Sequence, residues 1–347
     1  MSIQIEDFGK LENGQETKLY AIKNAAGMEI RVSNYGATLV NVFVTDKNGD
    51  KKDVVLGYDD AEGYEKSQGM FFGATVGRSA NRIGKARFTL NGTTYQLDEN
   101  DHGNNLHSGN DYYSKRMWDV KAVSEDRVVF LLHSEDGDQG YPGALDMEVT
   151  YQLTNENELQ ISYYGTPSAD TIINMTNHSY FNLNGHAFGD ILSHEVWLLA
   201  DYFTRSDEQS IPTGELVDVT DTPMDFREKK KLGRDIEQDY EALNFGGGYD
   251  HNYTLNNYRE YEKVAEMTGD ESGITMEVYT DLPGLQLYTG NFISEEPGKE
   301  GAIYHRRQAV CFETQYYPDA VNKKNFQNPV CHQGETYVTK TSYRFFL

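Results

Sequence analysis

The sequence predicts a mainly β protein, one large antiparallel β-sandwich over residues 1–347 with few short helices. Three observations carry that reading. Apolar residues recur at every second position through most of the chain, the spacing that turns one face of a strand to a core and the other to water. The 25 Tyr and 16 Phe favour pleated sheet, where rings pack against cross-strand neighbours. No Pro/Gly/Ser-rich linker, fixed-period repeat or low-complexity segment divides the chain, so a single domain is expected.

Taken in order, residues 29–35 read as a strand with Ile30 and Val32 on its apolar side, broken by Tyr35-Gly36. Residues 37–45 follow as a second strand, ended by the turn formers Asp46, Asn48 and Gly49. Residues 87–97 carry a hairpin pattern, with Phe88 and Leu90 before Asn91-Gly92 and Tyr95 and Leu97 after it. Asn-Gly suits a two-residue turn because both positions tolerate positive φ. Leu145, Met147, Val149, Tyr151 and Leu153 alternate with polar residues, and Leu159, Ile161 and Tyr163 return after a turn at 155–157. Ile274, Met276 and Val278 repeat the pattern, as do Tyr337, Thr339, Thr341, Tyr343 and Phe345. Short helices are expected at 59–67 and 227–237, neither with a long apolar stripe. Residues 98–115, 200–248 and 295–307 are irregular, and long loops on a β scaffold often line a site.

Composition narrows the function. Lys+Arg number 31 against 55 Asp+Glu, a net charge of −24. Such a surface repels phosphate backbones and anionic lipid, so neither nucleic acid nor membrane is an expected partner. No run approaches the roughly 18 apolar residues that span a bilayer. The opening MSIQIEDFGK lacks the basic flank and apolar core of a signal peptide. Cys311 and Cys331 make neither a CxxC pair nor a disulfide framework. A reduced, cytoplasmic setting is expected.

Five polar clusters interrupt the strands. Residues 171–185, TIINMTNHSYFNLNG, begin with β-formers and then set His178 among Asn174, Thr176, Asn177, Ser179, Tyr180 and Asn182. A buried strand has little use for so many hydrogen-bonding side chains unless something polar lies against them. A histidine there is a natural proton donor or acceptor near neutral pH, the alternative being a satisfied core histidine beside an Asn-rich turn. In GRSANRI at 77–83, Arg78, Asn81 and Arg82 either fork onto paired hydroxyls or form a solvated turn. NNLHSG at 104–109 offers His107 in a loop where glycine lets the backbone approach a ligand, or else a plain surface loop. GGGYDH at 246–251 reads as a loop that delivers Asp250 to a particular place, or as a flexible hinge. It lacks the phosphate-binding GxGxxG spacing. In AVCFETQY at 309–316, Val310, Phe312 and Thr314 share one strand face and Cys311, Glu313 and Gln315 the other. A carboxylate there is costly to bury unless paired or catalytic, and needs no explanation if that face is exposed.

Neither His178 nor Glu313 has a local HxH or HExxH partner, and His102 and His107 lie five apart in a Gly/Asn loop, so no metal is expected. There is no GxSxG elbow and no reactive-cysteine signature. Acid–base chemistry on a neutral, hydroxyl-rich molecule remains.

In chain order, NYGA at 34–37, GRSANRI, LHSG, NHSYFNLNG, GYDHNY, LPGLQLYTGNF, FETQYYPDA and the strand after Gly334-Glu335 resemble the aldose 1-epimerases, or galactose mutarotases, over nearly the whole chain. The resemblance implies a galactose mutarotase-like supersandwich with an open cleft. It implies an isomerase that interconverts the α and β anomers of free aldohexoses such as galactose and glucose, without cofactor. Carried over by motif, Glu313 would be the general base and His178 the general acid. Asn81, Arg82, His107, Asp250 and Gln286 would hold the sugar, with Tyr180 close by. A monomer or homodimer is expected. A glycoside hydrolase using Asp250 and Glu313 would leave both histidines without a catalytic role. A carbohydrate-binding module has no need of an acid–base pair. A hexose 6-phosphate epimerase would need a basic cluster beyond Arg78 and Arg82.

Overall fold

The period-two pattern becomes antiparallel sheet in the computed structural model, which describes residues 1–67, 69–257 and 259–347. Leu145–Leu153 buries every second residue, and Val149 lies opposite Tyr163 of Glu158–Pro167. Every ladder between the described strands is antiparallel in this way, so each strand can turn one face to a core. Nine strands form the largest sheet, in the order Asp119–Val123, Arg127–Ser134, Leu145–Leu153, Glu158–Pro167, Tyr337–Phe346, Thr275–Thr280, Glu262–Thr268, Glu195–Leu198 and Lys230–Lys231. A five-stranded sheet runs from Ser2–Lys10 to Lys51–Asp53. A six-stranded sheet has the order Tyr180–Phe181, Val310–Gln315, Gly284–Tyr288, Asp250–Thr254, Tyr202–Ser206 and Pro212–Asp218. One buried cluster draws Val32 and Val42 from the five-stranded sheet, Phe130, Val149 and Tyr343 from the nine, and Leu285 and Phe312 from the six. Apolar burial of this kind is the main favourable term holding the sheets together. The fold is a large, mainly antiparallel β-sandwich with two short α-helices among the described residues.

The Asn91-Gly92 hairpin forms as its chemistry demands. Leu90 pairs with Thr93, and the two turn residues take φ of 50° and 79°. The helix expected at 59–67 is Ala61–Lys66, where Asp60 Oδ1 accepts from the Gly63 N–H at 2.9 Å. The helix expected at 227–237 does not form. Lys230 is drawn into a ladder opposite Val196, its buried ammonium bonds Asp235 at 2.7 Å, and only a 3₁₀ turn at Leu232–Arg234 follows. The second helix is Glu241–Gly246, capped by Gly247 at φ 63°. The stretch 200–248 is less irregular than expected, since it holds Tyr202–Ser206 and Pro212–Asp218. Asp250 likewise opens a strand rather than sitting in a loop. Gly248 explains the glycine run before it, for at φ 138° an added Cβ would stand 2.5 Å from Asn291 Oδ1. Both cysteines are free and buried. No helix among the described residues is long and apolar enough to cross a membrane.

Candidate active site

Sheet register assembles half of the site. On the six-stranded sheet, Tyr180, Cys311, Tyr288 and Asp250 stand opposite one another in a row across four strands. The next row is Glu313, Gln286 and Asn252. Side chains two residues apart share a face, so both rows point the same way. Gln286 Nε2 donates to Asp250 Oδ1 at 2.7 Å and joins the rows. Gln315, two residues beyond Glu313, donates to Gln286 Oε1 and accepts from Asn81 Nδ2, each at 3.4 Å.

Two small sheets bring the other half. His178 ends the strand Thr176–His178, opposite Ala74. Arg82 pairs with Leu106, which sets Asn81 and His107 side by side at the end of that ladder. There the His107 N–H donates to Asn81 O at 3.0 Å, and the Asn81 N–H donates back to His107 Nδ1 at 3.1 Å. Asn81 and His107 both take positive φ, 60° and 51°, which this reciprocal pair holds in place. Arg82 Nε donates to Asp101 Oδ2 at 2.7 Å, which steers the guanidinium.

All the sequence-predicted site residues line one cavity of about 130 Å³. That is well below the roughly 300–1,000 Å³ of drug-sized ligand pockets and suits a ligand of one ring. A larger hollow of about 560 Å³ lies beyond Phe71, lined by Tyr64, Tyr112 and Lys115, and none of the predicted site residues reaches it. Of the other residues singled out in the sequence, Arg78 is wholly buried and structural, donating to Pro142 O, Gly143 O and Ser134 Oγ. The Asn177 amide turns away to Gly73 O and Tyr151 Oη. His102 is exposed. The exposed-face reading of Glu313 fails, because only 2% of that residue is accessible.

Sequence reasoning missed Asp101, Phe71, Tyr288 and Phe292. Phe71 packs its ring 4.7 Å from His107 and 5.8 Å from His178, and Tyr180 stacks on His178 at 5.0 Å. Phe71 takes φ of 56°, a conformation that nothing in the local sequence announces. Tyr288 and Phe292 lie within the motif LPGLQLYTGNF and line the cavity, and period two from Gln286 would have found Tyr288.

The electrostatics are those of buried groups. Glu313 Oε2 lies 3.5 Å from His178 Nε2 and accepts no hydrogen bond among the described residues. Burial, with the nearby Asp250 charge, pushes the Glu313 carboxyl well above its usual range. Burial pushes His178 down to about 4, and drives His107 well below the usual imidazole value with help from His178 and Arg82. Both directions favour a carboxyl beside a neutral ring over a carboxylate beside an imidazolium, the arrangement with the same number of protons.

His107, His178 and Glu313 offer ligand atoms within 4.8 Å of one another, so their fit to a metal ion needs testing. The tautomer of His107 speaks against it. Its Nδ1 lone pair already accepts the Asn81 N–H, so in the neutral ring Nε2 carries the hydrogen and presents a donor. Ligating histidines have the reverse arrangement, with the second nitrogen donating outward. The cluster suits proton exchange and hydrogen bonding better than metal capture.

An aldose 1-epimerase family profile matches residues 18–344. The chain is 40% identical to galactose mutarotase of Mus musculus over 339 residues, covering 97% of each chain. It is 36% identical to aldose 1-epimerase of Escherichia coli K12 over 337 residues, covering 96% of each. Among solved structures, the GalM/aldose epimerase homologue from C. elegans superposes with a TM-score of 0.88 at 28% identity, covering 95% of this chain and 99% of that one. The galactose 1-epimerase from Lactobacillus acidophilus NCFM gives 0.87 at 27% identity, covering 100% and 99%.

Proposed function

The chain belongs to the aldose 1-epimerase family and interconverts the α and β anomers of aldoses such as galactose; we propose that Glu313 accepts a proton in that reaction and His178 donates one. One observation carries the assignment. Glu313 Oε2 and His178 Nε2 stand 3.5 Å apart in a buried cavity, the carboxylate oxygen otherwise unpartnered among the described residues. Anomer exchange needs a proton removed from the C1 hydroxyl while the ring oxygen gains one. Glu313 takes the first and His178 supplies the second, the C1–O5 bond breaks, and an aldehyde forms. Rotation about C1–C2 presents the opposite carbonyl face, and closure runs both transfers backwards. The pair keeps its proton count, because the imidazolium gives one proton to the ring oxygen as the carboxylate takes another from the C1 hydroxyl. Burial disfavours the charged arrangement, which eases the transfers of ring opening and weighs equally against their reversal on closure. Each group contributes about 10²–10⁴-fold when well placed.

Arg82, Asn81, His107, Asp250 and Gln286 hold the remaining hydroxyls beside Tyr180, so that only C1 is free to turn. Free galactose and glucose are the proposed substrates of a metal-independent, cytoplasmic enzyme, monomeric or homodimeric. Polarimetry of freshly dissolved α-galactose tests the roles. Glu313→Gln and His178→Asn should each lower kcat at least about 10²-fold. The double variant should fall well short of the product of the two, as groups acting in one step do. Activity of Glu313→Gln within about tenfold of the parent would falsify the base assignment.

A further inference from the structure

His178 is held in plane by stacking on Tyr180 and Phe71, but stacking leaves an imidazole free to turn within its own plane. A hydrogen-bond partner at Nδ1 removes that freedom and decides which nitrogen exchanges protons. The partner here is Cys311, whose Sγ lies 3.5 Å from His178 Nδ1. Cys311 is wholly buried and sits two residues before Glu313 on the same strand face. Burial, with Glu313 and Asp250 nearby, keeps its sulfur a thiol, so the contact orients the ring without adding charge.

We propose that Cys311 is a positioning residue for the reaction, its sulfur accepting the His178 Nδ1–H throughout turnover so that Nε2 alone meets the sugar. The inference rests on His178 being the proton donor. In the imidazolium, Nδ1–H points to sulfur and Nε2–H to the ring oxygen. After the Nε2 proton has gone to the sugar, Nδ1–H still points to sulfur and the Nε2 lone pair waits to take the proton back. No proton passes to Cys311. One strand then carries the base and steadies the acid.

The test compares Cys311→Ala and Cys311→Val, which remove the acceptor, with Cys311→Ser, which keeps one. A single weak hydrogen bond supports an expected fall in kcat of about five- to tenfold for Ala and Val at nearly unchanged KM. Ser should restore most of it. In ¹⁵N spectra of histidine-labelled protein, His178 should hold its hydrogen on Nδ1 in the parent and Ser forms and mix tautomers in Ala and Val. Parental kcat and an unmixed Nδ1–H spectrum in Cys311→Val would overturn the proposal, even with His178→Asn inactive. An active His178→Asn would instead remove the reading on which it rests. Should the Ala variant not fold, the parent spectrum still decides, because a hydrogen on Nε2 there rules the sulfur out as acceptor.

Discussion

Glu313→Gln should make the protein more stable and nearly inactive at once. In the parent, Glu313 Oε2 is buried without a hydrogen-bond donor among the described residues, and burial raises the carboxyl well above its ordinary range. A carboxyl that holds its proton more tightly when folded costs nothing while both states are protonated. The cost begins as pH rises past the ordinary carboxylate value, where the unfolded chain ionises first, and grows towards the raised folded value. Near neutrality the parent carries that cost, and an amide of almost the same shape does not. An unsatisfied buried polar group costs about 1–3 kcal/mol. Unfolding 347 residues releases about 0.7 kcal/mol/K of entropy at the midpoint, so Tm should rise by about 1–4 °C. Calorimetry at about pH 7 should show this gain, and towards about pH 4.5 the gain should shrink as the unfolded chain also takes up the carboxyl proton. A lower Tm at neutral pH, or a gain indifferent to pH, would refute the picture of a carboxyl whose proton is held more tightly by burial.

Other outcomes follow from the same geometry. Asp250→Asn keeps the contact with Gln286 but surrenders a charge-assisted bond of about 1.5–3 kcal/mol, which should raise KM roughly ten- to 150-fold with kcat nearly unchanged. A collapse of kcat at constant KM would place Asp250 in the chemistry. Treatment with EDTA should leave the polarimetric rate intact, since the His107 tautomer faces a donor into the site. Loss of activity restored by a divalent ion would contradict that.

The fold was legible wherever one face of a strand is dry and the other wet, as in Leu145–Leu153, because burial then writes itself into alternate residues. It was illegible at 227–237, where Lys230 is buried through its partner Asp235 and no local pattern foretells a tertiary ion pair. Residues of the candidate site announced themselves as polar groups in strand-like surroundings, Glu313 and His178 above all. What the sequence could not express was adjacency: Gln286 meets Asp250 through sheet register, and Arg82 meets Asp101 through a loop closure. Arg78 was misleading for the opposite reason. It looks like Arg82 in the sequence, yet its guanidinium is spent on backbone carbonyls.

The strand Val310–Gln315 sends Phe312 to the core and Glu313 to the cavity from adjacent positions. Inserting or deleting one residue ahead of Glu313 within that strand would exchange the two faces, burying a carboxylate among aliphatic groups and offering a phenyl ring to the sugar. Point substitutions can be graded at such a strand, but frame-shifting length changes cannot. Lineages of this fold are therefore free to lengthen or shorten only where register is not at stake, in turns such as 207–211.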